Sequence, residues 1–285
     1  MTNLLLVGSG DIARRLLPLL RGRYSIHALL RDPKKFADWR AGGATPRLAD
    51  LDDRRSLACI AGVADVVIHL APPLPGGKRD TRTAHLLAAL SHGKLPRRLI
   101  YISTSGVYGD CGGAHVSETH RLAPHSARAA LRVSAEQQVR NWARRNGVRA
   151  SILRVPGIYA SERLPLERLR SGAPAIIAAE DSYTNHIHAD DLARIIVAAL
   201  RFGKSNRVYH AVDDDEMKMG DYFDQVADAY GLQRPPRLAR KTVQQQVSPA
   251  MWSFMEESRR MSNIRMKQEL NVRLLYPKVG DALEK

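Results

Sequence analysis

Over residues 1–150 the chain alternates two hydrophobic patterns. Short apolar runs occur at Leu4–Val7, Ser25–Leu30, Val66–Leu70, Leu99–Ser103 and Ala150–Val155. Few polar residues interrupt them, the pattern of a strand covered on both faces. Between them, Asp11–Arg21, Leu57–Ala61, Thr83–Leu90 and Ala127–Asn146 read as helices. Strand and helix in alternation predict βαβ units, a parallel sheet and right-handed crossovers. Pro18 should kink or shorten the first helix. The stretch 72–78, PPLPGGK, reads as a loop. After Pro156 the alternation weakens. Asp190–Phe202 predicts an amphipathic helix with Leu192, Ile195, Ile196, Ala199 and Leu200 on one face. Arg207–Val212 predicts a strand, and Asp221–Tyr230 a helix stopped by Gly231. Residues 233–250, rich in Pro and Gln, read as irregular.

Composition narrows the class. The 285 residues are 44% hydrophobic and 26% charged, enough for a packed core and unlike a disordered or low-complexity chain. Two cysteines, Cys59 and Cys111, exclude a disulfide framework and lack metal-ligand spacing. The first residues carry no basic region or cleavage site of a secretory signal, and no long apolar window spans a membrane. A cytoplasmic protein with no membrane partner is therefore expected. The net charge is +15 and unevenly placed. Residues 1–155 hold 25 Lys and Arg against 11 Asp and Glu, whereas 156–285 hold 19 against 18. A basic half suits an anionic ligand. Its basic runs are short and lack interleaved aromatics, so nucleic acid is not indicated.

The opening LLLVGSGDIA supplies the candidate chemistry. Gly8, Gly10 and Ala13 form G-x-G-x-x-A directly after a strand and at a helix start. Gly8 permits a tight turn, Gly10 lets backbone approach a pyrophosphate, and Ala13 allows close helix–strand packing. The helix N-terminus, with Asp11 and Ile12, offers free N–H groups to phosphates. The second strand should end near residue 30, where an acidic residue would hold a ribose hydroxyl and an Arg a 2′-phosphate. Arg31 stands there, with Lys34 and Lys35 close by, so NADP is favoured. Asp32 keeps NAD as the alternative.

Four further segments, together with the fingerprint, carry a resemblance. They are Ala49-Asp50-Leu51, His69-Leu70-Ala71, Tyr101–Gly109 (YISTSGVYG) and Leu153–Tyr159 (LRVPGIY). The sequence resembles the extended short-chain dehydrogenase/reductases, the NAD-dependent epimerase/dehydratase type. The likeness extends through Ile187–Asp191 to Tyr276-Pro277. It implies an α/β fold, a Rossmann-type doubly wound parallel sheet over 1–155, with a smaller C-terminal substrate lobe over 156–285. Helix 190–202 and strand 207–212 are expected to return to the sheet. It also implies that Asp50, Leu51, Leu70 and Ala71 contact the coenzyme. In that family a Ser or Thr, a Tyr and a Lys transfer protons beside the nicotinamide. Thr104 matches the first. The Tyr and Lys positions fall on Arg128 and Arg132, and no Tyr occurs between 109 and 158. An Arg stays protonated and cannot replace the Tyr, although it can bind ribose or phosphate. The resemblance is therefore to atypical members lacking the Tyr-x-x-x-Lys pair. Tyr108, His120 and, with them, His115, Glu118 and His125 are the substitute acid/base candidates. His186 and His188 share a strand face, but Asp190 is expected to cap the following helix, so no metal is assigned. The function expected is an NAD(P)-binding oxidoreductase or epimerase-like enzyme. Its substrate would be a small molecule, a sugar nucleotide or another polar carbonyl or alcohol. The alternative is a catalytically inactive NADP-binding sensor, and a homodimer is left open.

Overall fold

The computed structural model describes residues 1–283. Seven strands form one parallel sheet: β1 (Thr2–Val7), β2 (Tyr24–Leu30), β3 (Ala44–Leu48), β4 (Val66–His69), β5 (Arg98–Thr104), β6 (Arg149–Val155) and β7 (Arg207–His210). Their order is β7-β6-β5-β4-β1-β2-β3, every pair parallel. The chain winds outward in both directions from β1, which makes a topological switch point between β1 and β4.

Successive strand residues feed opposite faces, as the two-residue period requires. Leu4 and Leu6 of β1 enter one core, with Ile100 and Ile102 of β5. Leu5 and Val7 enter the other, with Leu99 and Tyr101. Helices α1 (Asp11–Leu20) and α4 (Ala189–Phe202) cover the first face, α2 (Thr81–Leu90) and α3 (Ala127–Arg145) the second. Both faces being covered explains the unbroken apolar runs. A third core, built on Tyr159, Phe223, Val243 and Met255, underlies the C-terminal lobe and includes helix α5 (Met219–Ala229).

Several expectations need correction. Strand β3 was not predicted: in ATPRL only Ala44 is buried, and Pro46 pairs opposite Ala28 on the sheet edge. An edge strand tolerates proline and shows little apolar signal. Residues 233–250 are ordered into a strand at Arg237–Leu238, a helix at Arg240–Gln246 and the start of another at Pro249–Met255. Pro18 neither breaks nor visibly shortens α1, which runs on to Leu20. The cap of α4 is His188, whose Nδ1 accepts from the Asp190 amide at 3.2 Å, not Asp190 itself. Among the described residues, no helix is long and apolar enough to cross a membrane.

Candidate active site

Two clefts open at the carboxyl ends of the strands. The first, about 610 Å³, is lined by Gly8, Gly10, Asp11, Ile12 and Ala13 after β1, by Arg31 after β2, by Asp50 and Leu51 after β3, and by Leu70 and Ala71 after β4. Thr104 and Arg132 close its inner end. The β1–α1 turn shows why two glycines stand there. Gly8 has φ +100°, and a Cβ on it would lie 2.6 Å from the Ala71 nitrogen, so no side chain fits. Gly10 has ordinary backbone angles, and a Cβ on it would meet nothing within 4 Å. The space beside Gly10 is the open cleft at the α1 N-terminus, which is the room a diphosphate requires. The residues present therefore fit a dinucleotide. Asp11 would repel phosphate, but Arg15 Nε holds it at 3.1 Å and Arg163 at 3.1 Å. Arg15 also pairs with Asp190 at 2.5 Å and with Glu162, tying α1 to α4 and to the loop after β6.

At the outer end, Arg31 is exposed and lines the cleft with Lys35. Asp32 also lines it, but its Oδ1 accepts the Lys34 amide at 3.0 Å, capping the turn at Pro33–Lys35. At the inner end, Arg132 Nη1 donates to the Ile102 carbonyl at 2.7 Å and to the Tyr101 hydroxyl at 3.1 Å. Burial outweighs this arginine and pushes the Tyr101 phenol up to about 12. Beneath the floor, Ser103 Oγ donates to Glu136 at 2.6 Å, and Glu136 binds Arg154 through both oxygens at 3.0 and 2.7 Å. The Thr104 hydroxyl accepts the Gly106 amide at 3.3 Å and keeps its own proton to donate.

The second cleft, about 290 Å³, lies between the sheet and the C-terminal lobe. Thr104, Pro156, Ile158 and Arg163 line both clefts, so the two meet there. Arg128 lines the second and not the first. Its guanidinium lies over the Phe254 ring at 4.7 Å.

The loop candidates for acid/base work reach neither cleft. Tyr108 is 1% exposed, its oxygen held by Arg154 Nη1 at 2.6 Å and by His210 Nε2 at 2.5 Å. Burial pushes that phenol up to about 12. His120 is exposed, edge-on to Tyr108 with centroids 6.0 Å apart. Glu118 is buried and accepts the His210 amide at 3.2 Å, while His115 is exposed and 3.4 Å from Glu216. Sequence reasoning missed Arg163, His186 and Tyr222, which long-range folding alone brings to the clefts. His186, weighed in the sequence beside His188 for a metal site and not assigned one, is the imidazole among the described residues lining either cleft. Burial draws it down to about 4, so it is neutral at physiological pH, and its Nδ1 has no partner.

The NAD dependent epimerase/dehydratase family model matches residues 4–211, and the chain belongs to that family. A solved structure from Silicibacter pomeroyi DSS, described as a functionally unknown conserved protein, is 30% identical. It covers 100% of this chain and 97% of its own, with a TM-score of 0.81. An uncharacterised protein of Schizosaccharomyces pombe is 27% identical over 212 residues, 69% of each chain. The UDP-glucuronic acid 4-epimerase of Bacillus cereus, solved with UDP-glucuronic acid and NAD, is 21% identical. It covers 99% of this chain and 96% of its own at a TM-score of 0.77, a likeness of fold. The family's NAD dependence agrees with the expected coenzyme class.

Proposed function

We propose that the protein is an NADP-dependent oxidoreductase or epimerase-like enzyme acting on a polar carbonyl or alcohol. The observation that carries this reading is the meeting of a glycine-cradled cleft with a second cleft at one hydroxyl, Thr104. When bound, a nicotinamide coenzyme supplies hydride exchange. The chain's own residues do the rest. Gly8 and Gly10 admit the diphosphate to the α1 N-terminus. Arg31 and Lys35 meet a 2′-phosphate, while Asp32 is occupied as a cap. Arg132 stands where the resembling family places its Lys and presents a fixed positive charge at the inner end. Thr104 donates to the substrate oxygen. The place of the family's Tyr is taken by Arg128, which binds but does not titrate. His186, neutral and on the second cleft's wall, is the base available for proton exchange.

The test is calorimetric titration of wild type and Arg31→Asp with NADP⁺ and NAD⁺, beside NADPH consumption on a carbonyl panel. NADP⁺ should bind more tightly to wild type, and Arg31→Asp should weaken NADP⁺ at least tenfold more than NAD⁺. Equal losses would remove Arg31 from the 2′-phosphate. Binding of neither coenzyme would end the whole reading, and binding without turnover of any carbonyl would end its enzymatic part.

A further inference from the structure

Four formal charges line the second cleft: Arg128, Arg163, Glu257 and Arg259. Two of the cations are answered within the protein. Arg259 pairs with Glu257 at 2.8 Å and donates to the Gly109 carbonyl at 2.6 Å. Arg163 pairs with Asp11 at 3.1 Å. Arg128 has no carboxylate in ion-pair contact among the described residues, only the face of Phe254. The ring attracts the guanidinium, which is exposed and whose N–H groups no carboxylate occupies among the described residues. Aromatic and apolar groups make up much of the remaining wall: Tyr183, Tyr222, Phe223 and Met251. His186, 6% exposed, adds an imidazole to the wall, and Tyr222 stacks on its ring at 4.2 Å.

We infer that the second cleft selects a small substrate with one oxyanion, a carboxylate or a phosphate monoester, on an apolar or aromatic body, gripped by Arg128 while Thr104 faces the reacting oxygen. The charge count sets a single anionic group: one cation is left over after internal pairing. The volume sets the size, since about 290 Å³ stands at the small end of ligand pockets. A sugar nucleotide brings two phosphates, a sugar and a base, and the room does not match it. This inference rests on the proposed function, because it seats the substrate in the cleft that adjoins the coenzyme's.

The probes are benzoylformate, its amide, phenyl phosphate and UDP-glucuronic acid, titrated by calorimetry into the protein with and without saturating NADP⁺. Benzoylformate or phenyl phosphate should bind at least tenfold more tightly than the amide, and which of the two wins names the anion. Arg128→Met should erase that preference while NADP⁺ affinity stays unchanged, and Arg128→Lys should retain part of it. Phe254→Leu, a milder change on the cleft wall, should weaken the anions several-fold. Equal binding of acid and amide, an unaltered ratio in Arg128→Met, tighter binding of UDP-glucuronic acid than of either anion, or binding of no probe would each overturn the inference. The titrations without coenzyme keep this test readable even if NADP⁺ fails to bind.

Discussion

Gly8 and Gly10 stand two residues apart in one turn, yet their substitutions should fail in different ways. At Gly8 the obstacle is internal. Its φ is +100°, and an added Cβ would sit 2.6 Å from the Ala71 nitrogen and 2.9 Å from the Ala71 Cα. Left-handed backbone costs an L-residue about 1–2 kcal/mol. Forcing backbone apart adds about 1–3 kcal/mol. Gly8→Ala should therefore lower Tm by at least about 4 °C, at about 2–4 °C per kcal/mol. At Gly10 the obstacle is the ligand. Its φ is −89° and nothing lies within 4 Å of the added Cβ. Serine is also a slightly better N-cap than glycine, so Gly10→Ser should leave Tm unchanged or slightly raised. Its side chain nevertheless fills the room a diphosphate needs. Losing one charge-assisted hydrogen bond, about 1.5–3 kcal/mol, weakens NADP⁺ by about 10- to 150-fold. Scanning calorimetry without coenzyme and titration calorimetry with it separate the two effects. Unchanged NADP⁺ affinity in Gly10→Ser would refute the cradle, and an unchanged Tm in Gly8→Ala would refute the packing argument.

Two further outcomes follow from the buried polar groups. Glu136, 2% exposed, neutralises Arg154, 3% exposed, so Glu136→Gln leaves a buried cation unanswered. The cost should be about 3–5 kcal/mol in urea unfolding, largely recovered in Glu136→Gln/Arg154→Met; a loss below about 1 kcal/mol in the single variant would count against a closed network. Burial draws His69 and His210 down to about 3 and His186 to about 4. Below the ordinary value of 6.5 the unfolded chain takes up protons that the fold refuses. Stability should then rise with pH between about 4 and 6.5, by about 1.4 kcal/mol per pH unit for each histidine, and level off above. A urea midpoint that does not move between about pH 7 and pH 4.5 would contradict this.

What could be read from the chain was what local pattern encodes. The runs at Leu4–Val7 and Leu99–Ser103 declare strands because both their faces are covered, and G-x-G-x-x-A declares its turn because only glycine fits at Gly8. Strand β3 escaped because an edge strand with one buried residue has no such pattern. The acid/base candidates lie away from the clefts for a related reason. Proximity in sequence to Thr104 placed Tyr108 and His120 near the site, but the turn at Ser105–Tyr108 carries Tyr108 into the interior against Arg154 and His210. His186 reaches the cleft only through the pairing of its short strand with Gly157–Tyr159, a contact across 29 residues that no local signal announces.

Arg128 and Arg132 are better understood together than singly. Residues four apart share one face of a helix, and α3 uses that face to span both clefts: Arg132 enters the first and Arg128 the second, with Thr104 lining each. That face of the helix thus carries two fixed charges. Arg132 is anchored by the Ile102 carbonyl and so keeps its position whether or not a ligand is present. Arg128 is held only by an aromatic face and can adjust to an anion. Fixed charges bind and orient but give up no proton at neutral pH, so this face of α3 offers charge recognition. On the proposed function, proton exchange would fall to the second cleft's wall, where His186 lies, and a reaction demanding strong acid or base at the substrate oxygen would be a poor match for this site.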